Sequence, residues 1–468
     1  MAGAETTVER LRQFLRELTP QARSLLISEL ERSLLRGDDA AGADLVLQQL
    51  RHIVREQREG APRQHHDVRL FFKAIEPFLV DDRPDHKHPG RIARASIDAL
   101  WTWICRDLLP DEAKIFSDDV DAAMRVGDMA RADVITHTFQ DKVAEAIESA
   151  FAAADDKKLL RRVLAQIGTP RAQEDAMALK SALKGRDALA AMATHLPLRI
   201  GNLANDQLDD CKALIDGIST SGDELFLSAL LIVMSRLAAP WQVVRFGIKA
   251  AGSDTAARVA DTHYGVTVSI VLAELERLVG ELRKDLHGGQ GVAVGALLKT
   301  IHDGARGLRT ELDLPVDSTW GRALSAQRAQ IADLLRAEIE SAPGRVRRLL
   351  RARPSTEIRA NSVLDPDEVA EAEALVAFVG NCRSFAGELA INEMTQRTFN
   401  EIQYNLDTGT RALLDGLRHA GEVDRSFRQS QVDAAVRFCA KVFGVEYAAL
   451  LTKAAEVASA AERKATRA

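Results

Sequence analysis

The residues best suited to chemistry lie in one segment, where imidazole and carboxylate groups are concentrated ahead of Trp101 and Trp103. Both groups donate lone pairs to divalent cations, so together they could hold a metal ion or exchange protons. The one-turn spacings in this segment fall near Pro84 and Pro89, where a helix is disfavoured, so a solvated loop between helices is the leading interpretation. The candidate residues are His65, His66, Asp67, Asp81, Asp82, Asp85, His86 and His88.

Two His-Asp doublets occur in the chain, His66-Asp67 and His302-Asp303. Each resembles the metal-binding core of the HD-domain phosphohydrolases, an all-helical family. The resemblance covers two residues per doublet, and that family also uses a separate upstream His and a downstream Asp. It implies a metal-dependent hydrolase in which His52 or His263 supplies the upstream ligand, whereas no residue is singled out as the downstream ligand.

The sharpest charge feature is a group of five arginines within nine residues, from Arg345 to Arg353. Guanidinium groups on one helix face could hold phosphate or carboxylate through forked hydrogen bonds, or contact an anionic membrane. Acidic residues outnumber basic ones by 68 to 62, so a solvated or internally paired face is the alternative. At 100° per residue, the basic face comprises Arg347, Arg348 and Arg351, and the apolar face comprises Val346, Leu349 and Leu350.

The elements that must position these groups are helices, because apolar residues recur at helical spacing along the chain. Val268, Val271, Leu275, Leu278 and Leu282 follow one another at intervals of three and four residues. Strict alternation, which would indicate half-buried strands, is scarcely found. The sequence therefore predicts an all-α fold of helical bundles in series, elongated in shape and without a regular short repeat.

Composition excludes several classes of protein. A net charge of −6 makes nucleic acid an unlikely partner, because phosphate binding depends on clustered Lys and Arg. The four cysteines have no paired spacing, which predicts reduced thiols in the cytoplasm. The longest apolar run, Leu225 to Leu237, is shorter than the roughly 20 residues that cross a bilayer, so we expect a buried helix and no transmembrane segment.

Residues that favour the starts and ends of helices divide the chain into four parts. We predict an N-terminal helical pair over 1–59, a main helical body over 60–341, a basic helix and linker over 342–364, and a C-terminal unit of four helices over 365–468. The clearest start signal is Asp365-Pro366, with Asp365 as N-cap and Leu364 and Val369 placed for a hydrophobic contact.

These patterns favour a non-enzymatic helical scaffold or adaptor that binds other proteins, with self-association as a further expectation. Neither a nucleophile elbow nor a phosphate-binding loop is found in the sequence, and no cofactor is predicted. The predicted partner-binding residues are Arg347, Arg348 and Arg351, and no catalytic or metal-binding residues are assigned. The alternatives are a metal-dependent hydrolase using residues 65–88, and an anion or nucleic-acid binder using the face from Arg345 to Arg353.

Overall fold

The first half of the chain is built from short and medium helices. The computed structural model describes residues 66–81, 88–152, 157–219, 223–287, 294–359 and 362–465, with scattered residues before position 54. Two strands of two residues each pair in parallel, with Leu79 opposite Ile92. The elements are α1 (His66–Phe72), β1 (Leu79–Val80), β2 (Ile92–Ala93), α2 (Ile97–Trp103), α3 (Pro110–Val126), α4 (Met129–Ala152), α5 (Lys157–Ile167), α6 (Pro170–Lys184), α7 (Arg186–His195), α8 (Asn205–Ser219) and α9 (Asp223–Arg236).

The second half contains the longer helices. They are α10 (Val244–Ala251), α11 (Ala256–Ala260), α12 (Val266–His287), α13 (Gly295–Glu311), α14 (Thr319–Leu350), α15 (Pro366–Phe385), α16 (Asn392–Arg418), α17 (Arg425–Val442) and α18 (Val445–Ala465). Short 3₁₀ or π segments join several of the elements in both halves. The prediction of an all-α fold is therefore confirmed.

Local sequence accounts for several of the helix starts. Thr169 caps α6, accepting a hydrogen bond at its hydroxyl oxygen from the backbone N–H of Ala172 at 3.2 Å. Asp365 caps α15 in the same way, accepting from the N–H of Asp367 at 2.9 Å. A proline follows each cap at the first helical position, where its missing N–H costs nothing.

Tryptophan and phenylalanine side chains from the His/Asp-rich segment belong to the core. The rings of Phe116 and Phe139 stack at 4.4 Å between centroids, and Phe71 and Trp101 pack around them. Trp103 is fully buried. Burial of such rings dominates core energetics, so these aromatics stabilise the packing of α1, α2, α3 and α4.

Residues 225–236 of the apolar run Leu225 to Leu237 lie in α9, and most side chains of the run are buried, as predicted. α9 packs against α6, α7 and α8. Within the described ranges, no helix has the length and hydrophobicity that a bilayer crossing requires.

Helix α14 packs against helices that precede it and helices that follow it in the chain. Its N-terminal part packs against α12, where the Gln327 side chain donates to the carbonyl oxygen of Leu272 at 2.8 Å. Its C-terminal part packs against α15 and α16. The predicted boundary at residue 341 thus falls inside a continuous helix, which runs through Pro343.

Buried apolar side chains form one continuous cluster from Phe71 to Ala458. This single cluster does not confirm an arrangement of bundles in series. That arrangement and the elongated shape stay predictions. A separate small cluster contains Leu15, Leu50 and Ile53. The predicted helical pair over 1–59 lies largely outside the described residues.

Candidate functional site

The arginine-rich segment occupies the last turns of α14 and the residues that follow. Val346, Leu349 and Leu350 are buried, as the helical periodicity predicts. The buried Gln431 side chain of α17 donates from Nε2 to the carbonyl oxygens of Leu349 and Arg351, both at 2.9 Å. Because these carbonyls lie at the helix end and have no partner inside the helix, Gln431 fixes the point where α14 stops.

Two arginines of this segment are paired with glutamates of α15. Arg345 forms an ion pair with Glu371, and Arg348 Nη2 lies 3.7 Å from Glu368 Oε1. The Arg348 side chain is 62 % exposed and the Glu368 side chain 50 %, so this longer pair contributes little to stability. The internal pairing that the sequence left open is therefore present for these two residues.

Arg347 and Arg351 differ from their neighbours. Both are exposed, and in the described part of the chain no carboxylate lies within ion-pair distance of either one. Arg353 is also exposed, and its guanidinium carbon stands 5.2 Å from the centroid of the Phe427 ring. We call Arg347, Arg348, Arg351 and Arg353 the arginine surface.

A buried hydrogen-bond network fixes the backbone next to the arginine surface. Asp424 is 2 % exposed and accepts hydrogen bonds from Arg428 Nε at 2.6 Å and from the Ser355 hydroxyl at 2.8 Å. Burial acts to raise the pKa of Asp424, but these two hydrogen bonds and the positive charge of Arg428 together outweigh it, and the pKa lies below its ordinary value. The network thus ties residue 355, just after the arginine surface, to α17.

The structure does not bring the described members of the His/Asp-rich segment together. Asp67 accepts a hydrogen bond from the Ser117 hydroxyl at 2.6 Å. His88 Nε2 lies 2.8 Å from Glu276 Oε2, and Asp81 pairs with Arg94 at 2.7 Å. Among the described residues, no three His, Cys, Asp or Glu side chains are grouped to hold a metal ion. His65, Asp82, Asp85 and His86 lie outside those residues, and so does the side chain of His66.

The second His-Asp doublet lies on α13. His302 Nδ1 stands 3.0 Å from Asp303 Oδ1, and Lys299 Nζ lies 3.1 Å from the other carboxylate oxygen. The His302 ring packs 5.2 Å from the Phe385 ring. These contacts are those of a partly buried helix surface between α13 and α15.

A charged cleft of about 440 Å³ between β1, α9 and α12 was not predicted. Arg277 forms a two-point contact with Glu274, at 2.7 and 3.0 Å, and also pairs with Glu281 at 2.5 Å. Arg91 Nη2 approaches Glu274 at 3.6 Å. Spacings of three and four residues along α12 could have indicated the first two pairs, whereas nothing local links Arg91 to this helix.

The cysteines are poor candidates for catalytic nucleophiles. Burial raises the pKa of the Cys382 and Cys439 thiols to about 12 and that of Cys105 to about 11. Burial also raises the pKa of Cys211. The thiolate is the reactive form, so little of it is present in the native protein near neutral pH.

We expect the native thiols to react with Ellman's reagent at pH 8 about 100-fold more slowly than the thiols of the urea-unfolded chain. The four buried or half-buried sulfurs have raised pKa values and restricted access, and both effects slow the reaction. Stopped-flow absorbance under the two conditions measures the ratio. One native thiol reacting as fast as the unfolded chain would identify an activated cysteine and contradict this assignment.

Comparisons with known proteins found no relative of this chain. The chain matches no protein-family model, and neither a curated protein nor a solved structure shows significant similarity to it.

Proposed function

We propose that this chain is a non-enzymatic helical scaffold or adaptor, which binds an acidic segment of a partner protein at the arginine surface. The observation that carries the proposal is a difference between neighbouring arginines at the C-terminal end of α14. Arg345 and Arg348 are engaged by glutamates of α15, whereas Arg347 and Arg351 project into solvent without such a partner in the described residues.

The chemistry of the exposed groups suits carboxylates. A guanidinium presents its N–H donors in a planar fork that matches the two oxygens of a carboxylate, and such charge-assisted hydrogen bonds are roughly twice as strong as neutral ones. The backbone beneath is held by Gln431 and by the Asp424–Arg428–Ser355 network. A preformed surface loses less conformational entropy on binding than a flexible one.

The surroundings of the arginine surface favour a short acidic peptide segment over a long polyanion. Glu357, Glu368 and Glu371 are exposed around it. These carboxylates would repel the phosphates of a duplex that continued past the four arginines, and the whole chain carries a net charge of −6. A segment with two or three carboxylates would fit between them.

The test is a binding titration with a fluorescein-labelled peptide of about a dozen residues rich in Glu and Asp, followed by anisotropy. We expect Arg347→Ala/Arg351→Ala to weaken binding about 10-fold, which corresponds to about 1.4 kcal/mol. The control variant is Arg336→Ala on the same helix, because Arg336 is exposed and already paired with Asp333 at 3.1 Å.

Two outcomes would overturn the proposal. Equal affinity of the wild type, the double variant and the control would show that these arginines do not bind the peptide. Tighter binding to a duplex DNA probe or to vesicles containing anionic lipid than to the peptide, with the same dependence on Arg347 and Arg351, would assign the surface to another class of partner.

A further inference from the structure

An apolar recess of about 260 Å³ lies between β2, α6 and α9. Its floor is made of buried side chains, and its rim is made of half-buried residues, so the recess is open to solvent on one side. The floor contains Phe78, Ile92 and Ala182, and the rim contains Gly90, Ala178 and Leu227.

Small residues create the space in this recess. Ala178 and Ala182 are one turn apart on α6, so they lie on the same face of that helix and leave room where longer side chains would fill it. Gly90, in the turn before β2, has a φ of +68°, and a Cβ there would lie 2.9 Å from Cδ1 of Leu231 and 3.2 Å from Cβ of Leu227. Glycine therefore lets the turn approach α9 closely, and this approach forms one wall.

The walls of the recess are held together by a buried carboxylate. Asp175 of α6 accepts hydrogen bonds from the N–H of Ala93, the residue after Ile92, and from the Ser96 hydroxyl. This contact fixes β2 against α6, and α6 in turn packs against α9. The recess is thus preformed, and a ligand that enters it loses less affinity to ordering of the protein.

The lining residues determine which ligands would fit. All described residues of the lining are uncharged, so a charged ligand would lose its hydration without gaining an ion pair. Ser228 supplies the one polar side chain of the described lining, and it is 5 % exposed. A hydroxyl oxygen has two acceptor lone pairs, so it can accept a hydrogen bond from a ligand even when its own proton is donated elsewhere.

The volume limits the size of the ligand. A dry apolar cavity of about 150 Å³ holds one benzene molecule, and in proportion this recess holds about ten non-hydrogen atoms. A helix or strand of another protein is too large for this space. A single aromatic ring, or two fused rings, would fill it.

We infer that the recess binds a small uncharged ring compound, of the size of phenol or indole, whose O–H or N–H donates to Ser228. Apolar contact with the floor supplies most of the affinity, and the hydrogen bond selects compounds that carry one donor. The inference does not depend on the proposed function, because none of the residues involved belongs to the arginine surface.

The experiment is a ligand-observed NMR titration of the full chain with indole. We expect the wild type to bind indole with a dissociation constant below about 1 mM, and Ala182→Leu to weaken binding at least about 10-fold by filling the recess. The matched control is Ala190→Leu, the same change at an exposed position of α7. The unfolding midpoint of Ala182→Leu should not fall, because the added carbons enter open space. If that variant fails to fold, Ala178→Val at the rim adds fewer atoms and should weaken binding about 3-fold.

Phenol and toluene test the hydrogen bond, because they share one ring and differ in the donor. Ser228→Ala should weaken the binding of phenol about 5-fold and leave the binding of toluene unchanged. A wild type that binds neither indole nor phenol at about 1 mM would overturn the inference, and so would binding that the filling variants leave intact. Equal effects of Ser228→Ala on phenol and toluene would overturn the role of Ser228.

Discussion

Replacing Gly321 by alanine is expected to lower the free energy of unfolding by about 3 kcal/mol, although alanine is the better helix former. Gly321 lies in the first turn of α14, and its N–H donates to the Ser318 hydroxyl oxygen at 3.0 Å. The chain before the helix folds back over this turn, so a Cβ at position 321 would lie 2.0 Å from the carbonyl oxygen of Pro315. That atom belongs to the backbone, so relieving the clash must displace the helix cap.

Gly344→Ala on the same helix is the matched control. A Cβ at this position meets no atom within 4 Å, so we expect alanine to raise the free energy of unfolding by up to about 1 kcal/mol through helix propensity. Urea denaturation followed by circular dichroism measures both variants. The account of this helix start is wrong if the two substitutions change stability in the same direction.

The second large effect is expected for Asp175→Ala, at about 3 kcal/mol of lost stability. Asp175 lies on α6 with no exposed surface, and its Oδ2 accepts hydrogen bonds from the N–H of Ala93 at 3.0 Å and from the Ser96 hydroxyl at 2.8 Å. Alanine would leave both buried donors without this acceptor. It would also release β2 and the turn after it from α6.

Urea denaturation gives the loss of stability, and hydrogen exchange at the Ala93 amide reports the local release. Glu174→Ala is the control, since its side chain is 56 % exposed and pairs with Arg171 at the surface, where an ion pair contributes less than about 1 kcal/mol. Similar unfolding midpoints for the two variants would show that Asp175 does not anchor β2.

The features predictable from sequence are those that depend on near neighbours in the chain. The row from Val268 to Leu282 predicts the buried face of α12, and all five of its members are buried. The cap at Asp365 is also correct, because an N-cap needs only the next few residues. Both results follow from the geometry of a single helix.

The ion pairs between elements could not be predicted in this way. Arg345 and Glu371 are 26 residues apart, and Arg91 and Glu274 are 183 apart. Which side chains meet depends on how one helix is rotated and shifted against another, and that is decided by core packing over the whole molecule. For the same reason, only the structure showed that Arg348 pairs with Glu368 while Arg347 beside it has no ion pair among the described residues.

The most direct test of the proposed function locates the bound peptide by hydrogen exchange and mass spectrometry. With the acidic peptide present at saturation, we expect slower exchange at the backbone amides of residues 345–353, and unchanged exchange at residues 329–336 of the same helix. Slower exchange at 345–353 that disappears in Arg347→Ala/Arg351→Ala would support the arginine surface as the binding site. Unchanged exchange at 345–353, with protection elsewhere in the chain, would contradict it.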